Sequence, residues 1–134
     1  MGTGDDQGFG EGFQSGFQLD DAAAFTRLMF ELYDWRCAIT GERFPPGDDL
    51  LHPSLEVFLF IPLGVGGLLS FHNAIVVEHA AARLLYRGLV VISDDYCPVV
   101  VESGKVGPRL HLPTDKAFWP ACTALQFHRQ TNPC

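Results

Sequence analysis

The chain has 134 residues, 47% of them apolar and 19% charged, with a formal net charge of −7. That length suits one domain able to bury a core of its own. Nine Lys and Arg against sixteen Asp and Glu give no basic face of the kind a strong nucleic-acid binder carries. A membrane-spanning helix needs roughly 20 apolar residues, and Val57 to Leu69 is too short and contains Pro62 and three glycines, so no span is expected. Cys37, Cys97, Cys122 and Cys134 lie far apart with no C-x-x-C pair. Their spacing argues against zinc, and with no basic-then-apolar leader the thiols are expected to be reduced and the location cytoplasmic.

Residues 1–19 read as a flexible acidic arm rich in Gly and Phe, and 20–134 as a single domain. Five acids, Asp5, Asp6, Glu11, Asp20 and Asp21, precede residue 22, while every Lys and Arg follows it. Phe9, Phe13 and Phe17 recur every fourth residue and would form one helical stripe. Gly8, Gly10, Gly12 and Gly16 each cost about 1 kcal/mol relative to Ala in a helix. A free helix is therefore not expected, and the segment reads either as a disordered arm or as one whose phenylalanines dock on a partner.

From Asp20 the pattern changes. Asp20 or Asp21 can cap a helix, and Ala24, Phe25, Leu28, Met29 and Leu32 follow at helical spacing, which predicts a helix over Asp21–Tyr33. Arg36 to Gly41 reads as a short strand, followed by a Pro-Pro-Gly-Asp-Asp loop. Leu55–Ile61 is a strand in which only Glu56 is polar, and Leu63–Asn73 is a loop. The stretch from Ala74 to Gly88 reads as a helix closed by a C-terminal glycine. "LVVISDDYCPVVVESG" reads as a hairpin with Asp94 and Asp95 in its turn, and a short helix is expected from Pro120 to Arg129.

Several of these pieces occur in a telling order: "YDWRCAITG" at Tyr33–Gly41, Leu55 and Glu56, "IPL" at Ile61–Leu63, Gly66 and Gly67, Asn73, "RGLVVISDDY" at Arg87–Tyr96, "LHLP" at Leu110–Pro113, and "LQFHR" at Leu125–Arg129. From about Phe25 to Arg129 the chain resembles the HNH endonuclease family, in particular its restriction-type members. The resemblance implies an α+β fold: an HNH-like ββα core with a flanking N-terminal helix and a C-terminal hairpin and short helix. It also implies a histidine at the end of the first strand that activates water, an asparagine that fixes the loop, and a helix histidine that holds a divalent metal. Phosphodiester hydrolysis needs such a base and cation.

At those positions the chain departs from the family. Setting Leu55, Glu56 and Pro62 on the family's strand puts the base at Leu59; counting from Asn73 or back from Gly88 puts the metal histidine at Ala82. The family's Phe-Asp pair falls on Leu85 and Tyr86, and Val57 and Phe58 replace two alanines. Only Asn73 is kept, and it is expected to hydrogen-bond the loop backbone. Without a metal, buried polar groups are costly whereas buried Leu and Phe are favourable. The expectation is a degenerate copy, not an enzyme, with no metal and no cofactor, serving as a protein-binding or structural subunit. Its contacts would be made by Phe9, Phe13, Phe17, Phe58 and Phe60, to a protein partner or a second copy. A non-cleaving DNA-binding module is the alternative, with Arg83, Arg87 and Arg129 as candidate phosphate contacts and weak affinity at physiological salt. A metal-dependent endonuclease with displaced ligands would need two or three of His72, His79, Asp94 and Asp95 to converge.

Overall fold

A computed structural model describes residues 19–47 and 52–131. The arm before Leu19, with Phe9, Phe13 and Phe17, lies outside the described residues, as do Asp48 and Asp49 of the proline loop and Cys134.

The architecture is α+β. Helix α1 (Leu19–Leu32) turns Met29 and Phe30, with Tyr33 just beyond its end, into the core, where they are at most 3% exposed. It stops where Asp34 and Trp35 take positive φ angles of 57° and 54°, and the Trp35 N–H reaches back to the Phe30 carbonyl at 2.9 Å. Strand β1 (Leu55–Leu59) pairs antiparallel with β2 (Ala74–Glu78) in the register Leu55↔Glu78 through Leu59↔Ala74. Helix α2 (His79–Tyr86) follows β2 directly. Then β3 (Val90–Ile92) and β4 (Pro98–Val100) form a second hairpin, and α3 (Cys122–Thr131) closes the order.

Two expectations change. Ala74–Glu78 is a strand, not the first half of a helix, and the helix occupies only His79–Tyr86. Ile75, Val76 and Val77 are β-branched and, with Ala74, fully buried, so the stretch carries no alternation by which to tell it from a buried helix. The central order is thus strand, loop, strand, helix. Residues 36–41 form no strand either; a single bridge, Arg36↔Arg43, spans the tight turn that Gly41 closes. Within the 63–73 loop lie two short 3₁₀ turns, Leu63–Val65 and Phe71–Asn73.

The core gathers α1, both strands of the first hairpin, α2 and α3: Met29, Phe30, Phe58, Phe60, Ile75, Val77, Leu85 and Leu125 are all at most 2% exposed. Cys37 is buried beside it and its Sγ accepts from the Thr40 and Glu78 N–H groups at 3.4 and 3.3 Å. Among the described residues no helix is long and apolar enough to cross a membrane.

Candidate functional site

The strand-loop-strand-helix unit brings together the positions that the sequence singles out. Asn73 ends the loop at 6% exposure. Its Oδ1 accepts from the Ile61 N–H at 2.9 Å, and its Nδ2 donates to the carbonyls of Ile61 and Leu68 at 2.9 and 3.0 Å. The Phe60 N–H in turn donates to the Asn73 carbonyl at 2.9 Å, so one residue ties both ends of the loop. Gly67 belongs to the same knot: a Cβ there would lie 1.7 Å from the Ile61 carbonyl oxygen.

Beside this loop opens a groove of about 220 Å³, walled by Leu59, Pro62, Val65, Tyr86 and Phe127 over Phe58 and His128. Its lining is mostly hydrocarbon. Leu59 stands on its wall, half-buried, whereas Ala82 is fully buried on the inner face of α2. Neither side chain carries a donor atom for a cation, so the residues present do not fit a divalent metal at the positions the resemblance assigns. Tyr86 is 61% exposed and lays its ring edge against Phe58, centroids 4.9 Å apart.

Phe58 and Phe60, expected to face a partner, are instead 2% exposed. They meet each other edge-on at 5.2 Å and both meet the His128 ring, at 5.3 and 5.9 Å. A strand covered by α2 and α3 on that face has no room to present them. His128 donates from Nε2 to the Leu85 carbonyl at 2.8 Å, and burial lowers its pKa from the usual histidine value. Arg129 is likewise engaged: Nη1 donates to the Ile92 carbonyl at 2.6 Å and Nη2 to Asp94 Oδ1 at 2.7 Å, which joins α3 to the second hairpin. Arg83 and Arg87 are exposed, one turn apart on and just beyond α2.

The histidines are placed separately. His72 is exposed and donates from Nε2 to the Ala117 carbonyl at 2.9 Å. His79 begins α2, with Nδ1 on Glu56 Oε2 at 2.7 Å and Nε2 on the His52 carbonyl at 3.0 Å. Its pKa is raised, chiefly by the hydrogen bond to Glu56 and then by the one to the His52 carbonyl. Among the described residues no group of three His, Cys, Asp or Glu side chains is placed to hold a metal ion, and Asp94 is spent on Arg129.

Sequence reasoning passed over the Glu56–His79–Tyr86 cluster and its neighbour His52. The Tyr86 hydroxyl donates to Glu56 Oε1 at 3.4 Å, so this carboxylate ties β1 to both ends of α2. A signal was present: Glu56 is the one polar residue in a strand of hydrocarbons. His52 is 6% exposed, donates to the Pro45 carbonyl at 2.9 Å and accepts from the Ser54 and Leu55 N–H groups, which pins the entry to β1.

The fold can be set beside known proteins. It is similar to a solved structure described as a modification-dependent TagI restriction endonuclease, with a TM-score of 0.70 and 20% sequence identity over 84% of this chain. The likeness establishes a restriction-nuclease-like α+β fold. This chain spans 38% of that protein's chain. No family model and no curated protein matches it.

Proposed function

We propose that this chain is an HNH-like nuclease-fold domain that does not cleave nucleic acid and works as a protein-binding or structural subunit. The observation that carries this reading is the apolar groove beside the Asn73 loop, with Leu59 on its wall and Ala82 buried on the inner face of α2. At the two positions to which the resemblance assigns water activation and metal binding, Leu59 and Ala82 offer only hydrocarbon. Hydrolysis of a phosphodiester needs a group to take the proton from water and a cation to carry charge on phosphate. A half-open apolar groove instead suits an apolar side chain of a protein, and Tyr86 and Val65, 61% and 62% exposed, stand at its mouth.

A second reading, a non-cleaving DNA-binding module, draws on the exposed pair Arg83 and Arg87. Two phosphate contacts give low affinity, with a shallow salt dependence of slope about −1.8 in log K against log salt.

The deciding experiment isolates the full chain from its native source under gentle conditions, measures the mass of the eluting species, and assays it for Mg²⁺- or Mn²⁺-dependent cleavage of plasmid DNA. A stoichiometric protein complex without cleavage is expected. Cleavage abolished by His72→Ala or His79→Ala would overturn the reading, and a monomer that binds duplex DNA without cutting it would favour the second.

A further inference from the structure

Residues 57–77 contain no Asp, Glu, Lys or Arg, in a chain of which 19% is charged. Much of that run is buried sheet, but its middle is not: Leu63, Val65 and Leu68 are 45%, 62% and 70% exposed. Their backbone is nevertheless fixed. The Val65 and Gly67 N–H groups both donate to the Pro62 carbonyl, at 3.1 and 2.9 Å, and Asn73 Nδ2 holds the Leu68 carbonyl at 3.0 Å. Three apolar side chains therefore stand exposed on a tied turn.

That turn borders a hole. Pro62 and Val65 belong to the wall of the 220 Å³ groove that Tyr86 and Phe127 also line, and none of the lining residues is Asp, Glu, Lys or Arg. One face thus carries an apolar projection and, next to it, an apolar recess. A twofold axis through such a face sets the projection of each copy over the recess of the other, which is the self-complementarity that an isologous interface requires. Charge favours the same face. Two copies at −7 each repel wherever their charged surfaces meet, so they approach at least cost where the turn and groove carry no charge. With Tyr86, 61% exposed, the three side chains present on the order of 500 Å² of apolar surface, near the upper end for a soluble monomer. Two copies would bury about 1,000 Å² between them, the lower bound for a specific interface, which corresponds to a weak dimer.

We propose that this face is the contact of a symmetric homodimer, in which Leu63, Val65 and Leu68 of each copy cover the groove of the other beside Tyr86. The inference rests on the reading of that groove as a protein-binding surface, and it names the occupant as a second copy of this chain.

The test is sedimentation equilibrium of the full chain from about 1 to 200 µM, with a reductant present so that the exposed Cys122 does not cross-link copies. Val65→Asp is compared with Val106→Asp, a change at a valine of similar exposure, 59%, that bridges to Val99 of β4. The unsubstituted chain is a dimer that dissociates in this range, Val106→Asp matches it, and Val65→Asp raises the dissociation constant at least tenfold with an unchanged circular dichroism spectrum. Should Val65→Asp alter the spectrum, Leu68→Asp takes its place with the same outcomes. A chain that stays monomeric to the top concentration overturns the proposal, as does a dimer that the two substitutions weaken equally or that Val65→Asp leaves unchanged. Isolation from the native source separates this failure from that of the broader reading. A monomeric chain whose native complex is lost on Val65→Asp holds a different protein in the groove, so the homodimer falls and the protein-binding reading stands. A native complex that Val65→Asp leaves intact removes the groove from both.

Discussion

Asn73 grips both backbone groups of Ile61, accepting its N–H and donating to its carbonyl, each at 2.9 Å. The same amide group donates to the Leu68 carbonyl, so a single buried side chain substitutes for three backbone partners across a loop that forms no ladder of its own. Asn73→Ala leaves those three groups to water or to nothing. The expected loss of stability is about 2–4 kcal/mol, read from urea unfolding, with faster exchange at the Ile61 amide. Asn73→Asp does not rescue it at neutral pH, because a carboxylate oxygen would face the two carbonyls. A loss below about 0.5 kcal/mol for Asn73→Ala would mean that the loop is held by other contacts.

Gly67 is constrained by proximity and not by its own dihedral. Its N–H donates to the Pro62 carbonyl at 2.9 Å, and an added Cβ would meet Ile61 O at 1.7 Å and Pro62 O at 2.9 Å. Both are backbone atoms; the Asn73 Nδ2 holds the first, and the Val65 N–H donates to the second at 3.1 Å. Gly67→Ala therefore opens the loop, at a cost of about 3 kcal/mol. Gly64, with open space around its Cβ position, provides the contrast: Gly64→Ala is expected to leave the unfolding midpoint nearly unchanged.

Much of this was legible in the sequence, and the part that was not has a physical cause. Leu55, Glu56, Pro62 and Asn73 were enough to lay out the first strand and the loop, and the helical spacing before Tyr33 located α1. The second strand was hidden because Ala74–Val77 is buried on both faces, which erases the alternation that betrays a half-exposed strand. Phe58 and Phe60 were misplaced outward because nothing in β1 itself tells that α2 and α3 cover that face; His128, which their rings meet, is about seventy residues away in sequence. The Glu56–His79 pair was missed for a similar reason, since its two halves are adjacent only once β2 has reversed the chain.

Histidines placed at the two positions that the HNH resemblance assigns separate a buried position from a groove wall. Ala82 is fully buried, so Ala82→His must place an imidazole in packed hydrocarbon and should cost about 2 kcal/mol or more. Leu59 lines the groove and is half-buried, so Leu59→His should cost less than about 1.5 kcal/mol. The double variant is expected to fold poorly and to show no cutting of plasmid DNA with Mg²⁺ or Mn²⁺ beyond that of the unsubstituted chain. A double variant as stable as the unsubstituted chain that cleaves DNA would show that the groove accommodates both histidines in working geometry.

His79, half-buried, and His128, buried, should give the protein opposed pH dependences. Both partners of the His79 ring, a carboxylate and a carbonyl, are acceptors, so the ring holds two protons and its pKa is raised, chiefly by Glu56. Its contribution is full below the unfolded histidine value of about 6.5 and is lost as pH rises through the higher folded value. Because the side chain is 42% exposed, that contribution is below about 1 kcal/mol. His128 works the other way: burial lowers its pKa, the unfolded chain takes a proton that the folded one refuses, and stability falls as pH drops below about 6.5. Urea unfolding between pH 5 and 8 should therefore show the deficit of Glu56→Gln shrinking as pH rises past 6.5. His128→Gln should remove part of the loss on the acid side, and a slope there equal to that of the unsubstituted chain would mean that other groups set the acid limit.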